Sequence, residues 1–215
     1  MDGSGVLLYI HGMGGGADSR IPSILSECLA SPLKVVVRTY DFDPEIAREQ
    51  ISAWIEELSP VVQAGESLGA KHALAMHGRY GLPTVLVSPA LNAPSVLSAL
   101  APLTLVPGVG ALLDRIYRPR PGDRQAVHFR YALLRKWKAA RLTFDRRSKV
   151  TDPVVFAFFG THDHYRRSGI VSLRSWRKRF GEGTYAIYDG SHFMEEQYVR
   201  TLLADRIRGL AEGSC

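Results

Sequence analysis

Apolar residues in this chain fall first into short β-branched runs and then into segments of helical spacing. Runs at residues 6–10, 34–39 and 61–64 are each followed by a turn signal and a helix-like pattern, and three more lie at 84–88, 153–159 and 184–188. Runs with no polar face are what parallel strands need when helices cover the sheet on both sides. The spacing predicts helices over residues 44–58, 68–80, 170–180 and 193–210. In the first, Asp43 stands in the capping position before Pro44, and Ile46, Ile51, Trp54, Ile55 and Leu58 recur at helical intervals. The alternation predicts an α/β fold of about six mostly parallel strands with helices on both faces, in one domain over residues 1–215.

Between the fourth and fifth strands the pattern breaks into an insertion, residues 92–150. Its first half, 93–113, is apolar, and its second half predicts a helix over 123–142 with Ala126, Phe129, Leu133, Trp137 and Ala140 on one face. Arg135, Lys138 and Arg141 share another side of that helix. The expected arrangement is an apolar and then basic lid inserted before the fifth strand.

Composition adds scale. With 215 residues, 46% of them hydrophobic and 22% charged, the chain can bury a sizeable core and is not globally disordered. The net charge of +6 is unevenly placed: the insertion holds 12 basic and 3 acidic residues, against 15 and 18 elsewhere. Charge of this kind bears on association rather than fold. No charged residue occurs between Arg79 and Asp114, yet five prolines interrupt that stretch, which argues against a membrane-spanning helix. Cys28 and Cys215 offer neither a disulfide framework nor zinc-ligand spacing. Asp2 and the absence of a basic leader at the N-terminus lead us to expect a cytoplasmic protein of a reducing compartment.

The chemistry centres on Gly65-Glu66-Ser67-Leu68-Gly69, a G-x-S-x-G placed after a strand and before a helix. So sharp a turn leaves no room for Cβ groups two residues either side of the serine, and it lifts the hydroxyl above the sheet edge. A serine hydroxyl needs a base, and the base needs an orienting acid. His192 in the loop after the last strand and Asp163 in the loop after the one before supply both, in the chain order Ser, Asp, His. Asp189 and Asp152 are competing acids, and Asp163 in its Gly-Thr-His-Asp loop could also serve as a helix cap. An oxyanion formed at Ser67 would need two backbone N–H donors, expected from Leu68 and from Met13 in the loop His11-Gly12-Met13-Gly14-Gly15-Gly16.

Other readings of these residues lead elsewhere. Gly12-Met13-Gly14-Gly15-Gly16-Ala17 formally matches the dinucleotide fingerprint, with Asp41 or Asp43 downstream as the ribose-binding acid, but that reading leaves Ser67, Asp163 and His192 unused. A metal site from His11, His162, Asp163, His164 and His192 lacks any recognised ligand spacing. Arginines interleaved with Tyr117, Phe129, Tyr131 and Trp137 could grip nucleic acid, but no nucleic-acid module surrounds them. A hydrolase-like protein that only binds is the remaining alternative.

The stretches LLYIHGMGGGADSR, VVVRTYDFDPEIAREQISAWI, AGESLGAKHAL and VLVSPALNAP, with FFGTHDHY and YDGSHFM nearer the end, resemble the small YqiA-like esterases of the α/β-hydrolase superfamily. The resemblance implies a cofactor-free serine hydrolase of acyl esters or thioesters, with the roles of nucleophile, acid and base falling on Ser67, Asp163 and His192. The likeness lapses over the insertion. There, Arg135, Lys138 and Arg141 are the sequence's candidates for attracting an anionic portion of a small-molecule substrate.

Overall fold

The computed structural model describes residues 5–31, 33–140 and 154–213. Six strands form one parallel sheet in the order β2-β1-β3-β4-β5-β6: β1 (Gly5–Ile10), β2 (Leu33–Val37), β3 (Val62–Glu66), β4 (Thr84–Val87), β5 (Val155–Gly160) and β6 (Tyr185–Tyr188). Each of the six apolar runs became a strand, with ends shifted by one or two residues. The sequence of strands reverses direction at β1, whose neighbours are β2 on one side and β3 on the other. Such a reversal opens a crevice at the carboxyl ends of the strands, where loops diverge.

Alternation along β1 shows how the two faces are filled. Leu7 and Tyr9 join α1 (Arg20–Cys28) and the C-terminal helical segment in one core, while Leu8 and Ile10 pack with α2 (Pro44–Leu58), α3 (Gly69–Tyr80) and α7 (Leu173–Phe180) in the other. Asp43 caps α2 by accepting from Glu45 N–H at 2.9 Å. Ile46 on that helix is exposed, so Ala47, Ile51 and Ile55 carry its buried face. The C-terminal segment comprises α8 (Glu196–Tyr198), a π-helical turn over Val199–Leu203 and α9 (Ala204–Glu212).

The insertion builds a third core on top of the sheet. It contains α4 (Ala93–Leu100), a 3₁₀ turn, α5 (Val109–Ile116) and α6 (Tyr131–Ala139). Phe42, Leu68, Leu97, Ala101, Val127, Phe129, Leu134 and Trp137 are buried together there, joining the lid to the residue after Ser67. Lys136 pins α6 to the start of α2 through Asp43 at 2.5 Å and Glu45 at 2.9 Å.

The helix expected over 123–142 is a correction. Among the described residues of this range only Tyr131–Ala139 is helical; Arg124 to Arg130 run extended, with Gln125, Val127 and Phe129 buried and Ala126, His128 and Arg130 exposed. Their backbone groups bond across the chain instead of along it: Gln125 N–H donates to Gly15 O at 2.7 Å and Phe129 N–H to Asp114 Oδ1 at 2.7 Å. Leu142, the expected end of the helix, lies outside the described residues, as does Pro153, the expected start of β5. Among the described residues no helix is long and apolar enough to cross a membrane.

Candidate active site

Ser67 follows directly on β3 with φ of 51°, a left-handed conformation that costs a non-glycine residue energy and is tolerated where the fold enforces it. The glycines on either side make the turn feasible. A Cβ on Gly65 would sit 2.8 Å from Ala73 Cβ, and one on Gly69 would run into the carbonyl oxygens of Ile10 and His11. Register completes the placement: Ile10 pairs with Gly65, so the loop leaving β1 and the turn leaving β3 emerge side by side.

The loops after β5 and β6 bring the other two residues. His192 Nε2 lies 2.9 Å from Ser67 Oγ, and His192 Nδ1 lies 2.8 Å from Asp163 Oδ2. Both His192 and Asp163 are buried. Tyr165 and Phe193 pack edge-on against the imidazole, with centroid separations of 4.6 and 5.1 Å. Burial by itself would raise the Asp163 carboxyl, but the hydrogen bond and charge of His192 and the Tyr165 N–H hold it below the usual carboxylate range. An ionised Asp163 holding Nδ1–H leaves Nε2 free to accept a proton from Ser67 Oγ.

Asp163 also caps a short turn, its Oδ1 accepting from Tyr165 N–H at 2.9 Å. Capping and orientation thus use different oxygens of one carboxylate. Asp189 faces away, exposed and engaged with Thr161 Oγ1 and His162 Nε2 at 2.9 and 3.0 Å. Asp152 lies outside the described residues. His164 is near the His192 ring, whereas His162 is drawn off to Asp189, and no group of three or more His, Cys, Asp or Glu among the described residues is placed to hold a metal ion.

The Gly-rich loop distributes its amides unequally. Gly14 N–H donates to Gln125 Oε1, Gly15 N–H to Gly12 O, Gly16 N–H to Ser19 Oγ and Ala17 N–H to Thr39 Oγ1. These are the donors a dinucleotide pyrophosphate would need, and helix α1 begins only at Arg20, so the fingerprint reading of Gly12 to Ala17 fails on geometry. Among the described residues no intrachain acceptor is found for Met13 N–H or Leu68 N–H, and both residues line the cavity above Ser67. His11 lies beneath the loop, buried and stacked on Tyr40 at 4.2 Å, with Nδ1 bonded to Gly12 O. Burial lowers its pKa to about 4, so it is a neutral support.

The cavity holds about 670 Å³ and is lined by Gly12, Gly14, Ser67 and His192 at its floor, with Leu97, Leu100, Tyr117 and Phe129 from the lid. Its basic residues are Arg20, Arg118, Arg120 and Arg124. The charged set expected from sequence is elsewhere: Arg135 and Lys138 are exposed on α6 and do not line the cavity, and Arg141 lies outside the described residues. The sequence reading also missed Glu66, a buried carboxyl at the cavity wall that accepts from Tyr9 O–H at 2.8 Å and is raised by burial. It missed Gln125 as well, for which no sequence signal exists.

No family model matches the chain, and no curated protein matches it. Solved structures do. A monoacylglycerol lipase from Paleococcus ferrophilus is 19% identical over 99% of this chain and 94% of its own, with a TM-score of 0.58. An extracellular alpha/beta-hydrolase from a Paenibacillus species is 12% identical over 96% and 98%, at 0.58. An esterase from Exiguobacterium antarcticum is 12% identical over 94% and 91%, also at 0.58. At these identities the likeness is one of fold, and the fold is that of the α/β-hydrolases.

Proposed function

We propose that this chain is a serine hydrolase that cleaves a carboxylic ester or thioester of a small molecule through an acyl-enzyme intermediate. The observation that carries the reading is the unbroken hydrogen-bonded chain Ser67, His192, Asp163 at the floor of a largely apolar cavity. Ser67 Oγ attacks the carbonyl carbon as His192 Nε2 takes its proton, and the oxyanion is received by the N–H groups of Met13 and Leu68. His192 returns the proton to the departing alkoxide or thiolate. Water, deprotonated by the same imidazole, then releases the acid and restores Ser67. Leu68 precedes helix α3, so the helix dipole favours charge at its amide.

The esterases and lipase among the solved structures of like fold support a hydrolase, and the motif likeness to small YqiA-like esterases belongs to the same reading. The test is labelling by a fluorophosphonate probe, with wild type beside Ser67→Ala and His192→Ala. Labelling of wild type alone is expected. Folded wild-type protein that takes no label at Ser67 would turn the reading toward a hydrolase-like protein that only binds.

A further inference from the structure

The segment between α5 and the extended stretch reads Tyr117-Arg118-Pro119-Arg120-Pro121-Gly122-Asp123-Arg124. Two prolines restrict its backbone, so fewer conformations compete with the folded one. Its far end is tied to the Gly-rich loop. Arg124 forms an antiparallel bridge with Gly16, and Thr39 Oγ1 donates to Asp123 O at 3.1 Å. Gln125, buried, accepts from Gly14 N–H at 3.1 Å and donates to the carbonyls of Tyr40 and Asp41, both at 3.2 Å. The arginines of this segment therefore stand on a backbone braced against the loop that carries Met13.

Four arginines line the cavity, but two are already engaged. Arg124 pairs with Asp18 at 3.1 Å, and Arg20 donates to the carbonyls of Phe193 and Met194. Arg118 and Arg120 have no hydrogen bond or ion pair among the described residues, although both line the same cavity as Ser67. The cavity's carboxyl, Glu66, is spent on Tyr9. Among the described residues Arg118 and Arg120 thus have no paired carboxylate; they stand on a proline-restricted segment and adjoin an apolar wall that includes Leu97, Leu100 and Phe129. A guanidinium pair in that setting suits a carboxylate or phosphate, which can accept in a forked geometry.

We propose that Arg118 and Arg120 form an anion subsite at the mouth of the Ser67 cavity, so that the preferred ligand joins an apolar acyl portion to a carboxylate or phosphate set away from its carbonyl. Turnover of such a ligand rests on the hydrolase reading; the anion preference does not. The charge belongs either to the acyl chain or to the leaving group, and two matched pairs separate these sources. The first is the mono-para-nitrophenyl ester of adipic acid beside its methyl-capped, neutral counterpart. The second is butyryl-coenzyme A beside butyryl-N-acetylcysteamine.

At low ionic strength kcat/KM should favour the charged member of one pair by roughly fivefold to tenfold, chiefly through KM. That preference should collapse toward unity in the double variant Arg118→Ala, Arg120→Ala and be partly kept in Arg118→Lys, Arg120→Lys. Both side chains are exposed, so the variants should melt with wild type. Calorimetric titration of Ser67→Ala with the same pairs reads the preference without turnover. Discrimination by that chain would uphold the subsite even if wild type hydrolysed nothing. Equal handling of both members of both pairs by wild type, or a preference that survives in the double alanine variant, would overturn it.

Discussion

At the level of single residues, Asp163 shows how one side chain can satisfy two readings that look like rivals in the sequence. One oxygen closes the turn at Tyr165 while the other holds His192. Replacing Asp163 by Asn keeps a capping oxygen but presents an amide donor to Nδ1, which favours the wrong imidazole tautomer. A fall in kcat of roughly 10³–10⁴-fold is expected on any ester the wild type hydrolyses, measured with the thermal midpoint to separate chemistry from folding. His11 makes a different prediction. Folded His11 stays neutral down to about pH 4, whereas the unfolded imidazole takes its proton near 6.5. Protons therefore favour the unfolded chain between those values, so stability present above the upper one is lost as pH falls toward the lower, by about 3 kcal/mol for a shift of this size. Urea unfolding at about pH 7 and pH 4.5 should show a smaller decline in His11→Asn than in wild type. Parallel declines would mean that His11 titrates as an ordinary exposed histidine.

Among the elements, the strand-turn-helix at Ser67 was legible because its demands are local: a strand, two positions without Cβ, a helix start. Gly69→Ala should be costly because the carbonyls of Ile10 and His11 are backbone and cannot step aside; a loss of about 3 kcal/mol in chemical denaturation is expected. The extended segment from Arg124 to Arg130 was not legible. Ala126, Phe129 and Leu133 sit at helical intervals, yet the burial of Gln125, Val127 and Phe129 follows a period of two residues. What decides between the two is the offer of partners far away in sequence, the Gly15 carbonyl and the Asp114 carboxylate. Gln125→Ala would leave Gly14 N–H and two carbonyls to find new partners. It should cost about 2–3 kcal/mol and lower kcat/KM through the loosened Met13 loop, and unchanged stability would show the brace to be dispensable.

For the molecule as a whole, the lid is where the apolar pattern and burial part company. Leu105, Leu112 and Ile116 are 65%, 56% and 61% exposed, and α5 buries no residue. That helix is held to the extended segment by Asp114, which accepts from Phe129 N–H and pairs with Arg130 at 2.8 Å. Changing Leu112 and Ile116 to Gln should accordingly leave the unfolding free energy within about 0.5 kcal/mol of wild type. The six strands, the helices α2, α3 and α7, the serine elbow and the Ser, Asp, His succession were readable from the chain by itself, because each rests on local geometry or on a period of two or 3.6 residues, whereas the order of the strands within the sheet was not. Which oxygen of Asp163 meets His192, which amides of the Gly-rich loop have no acceptor among the described residues, and which arginines reach the cavity were decided only in three dimensions. Those outcomes depend on contacts between segments some 25 to 110 residues apart, such as His192 with Asp163 and Gln125 with Gly14. Periodicity within one segment carries no information about which distant backbone group will be its partner.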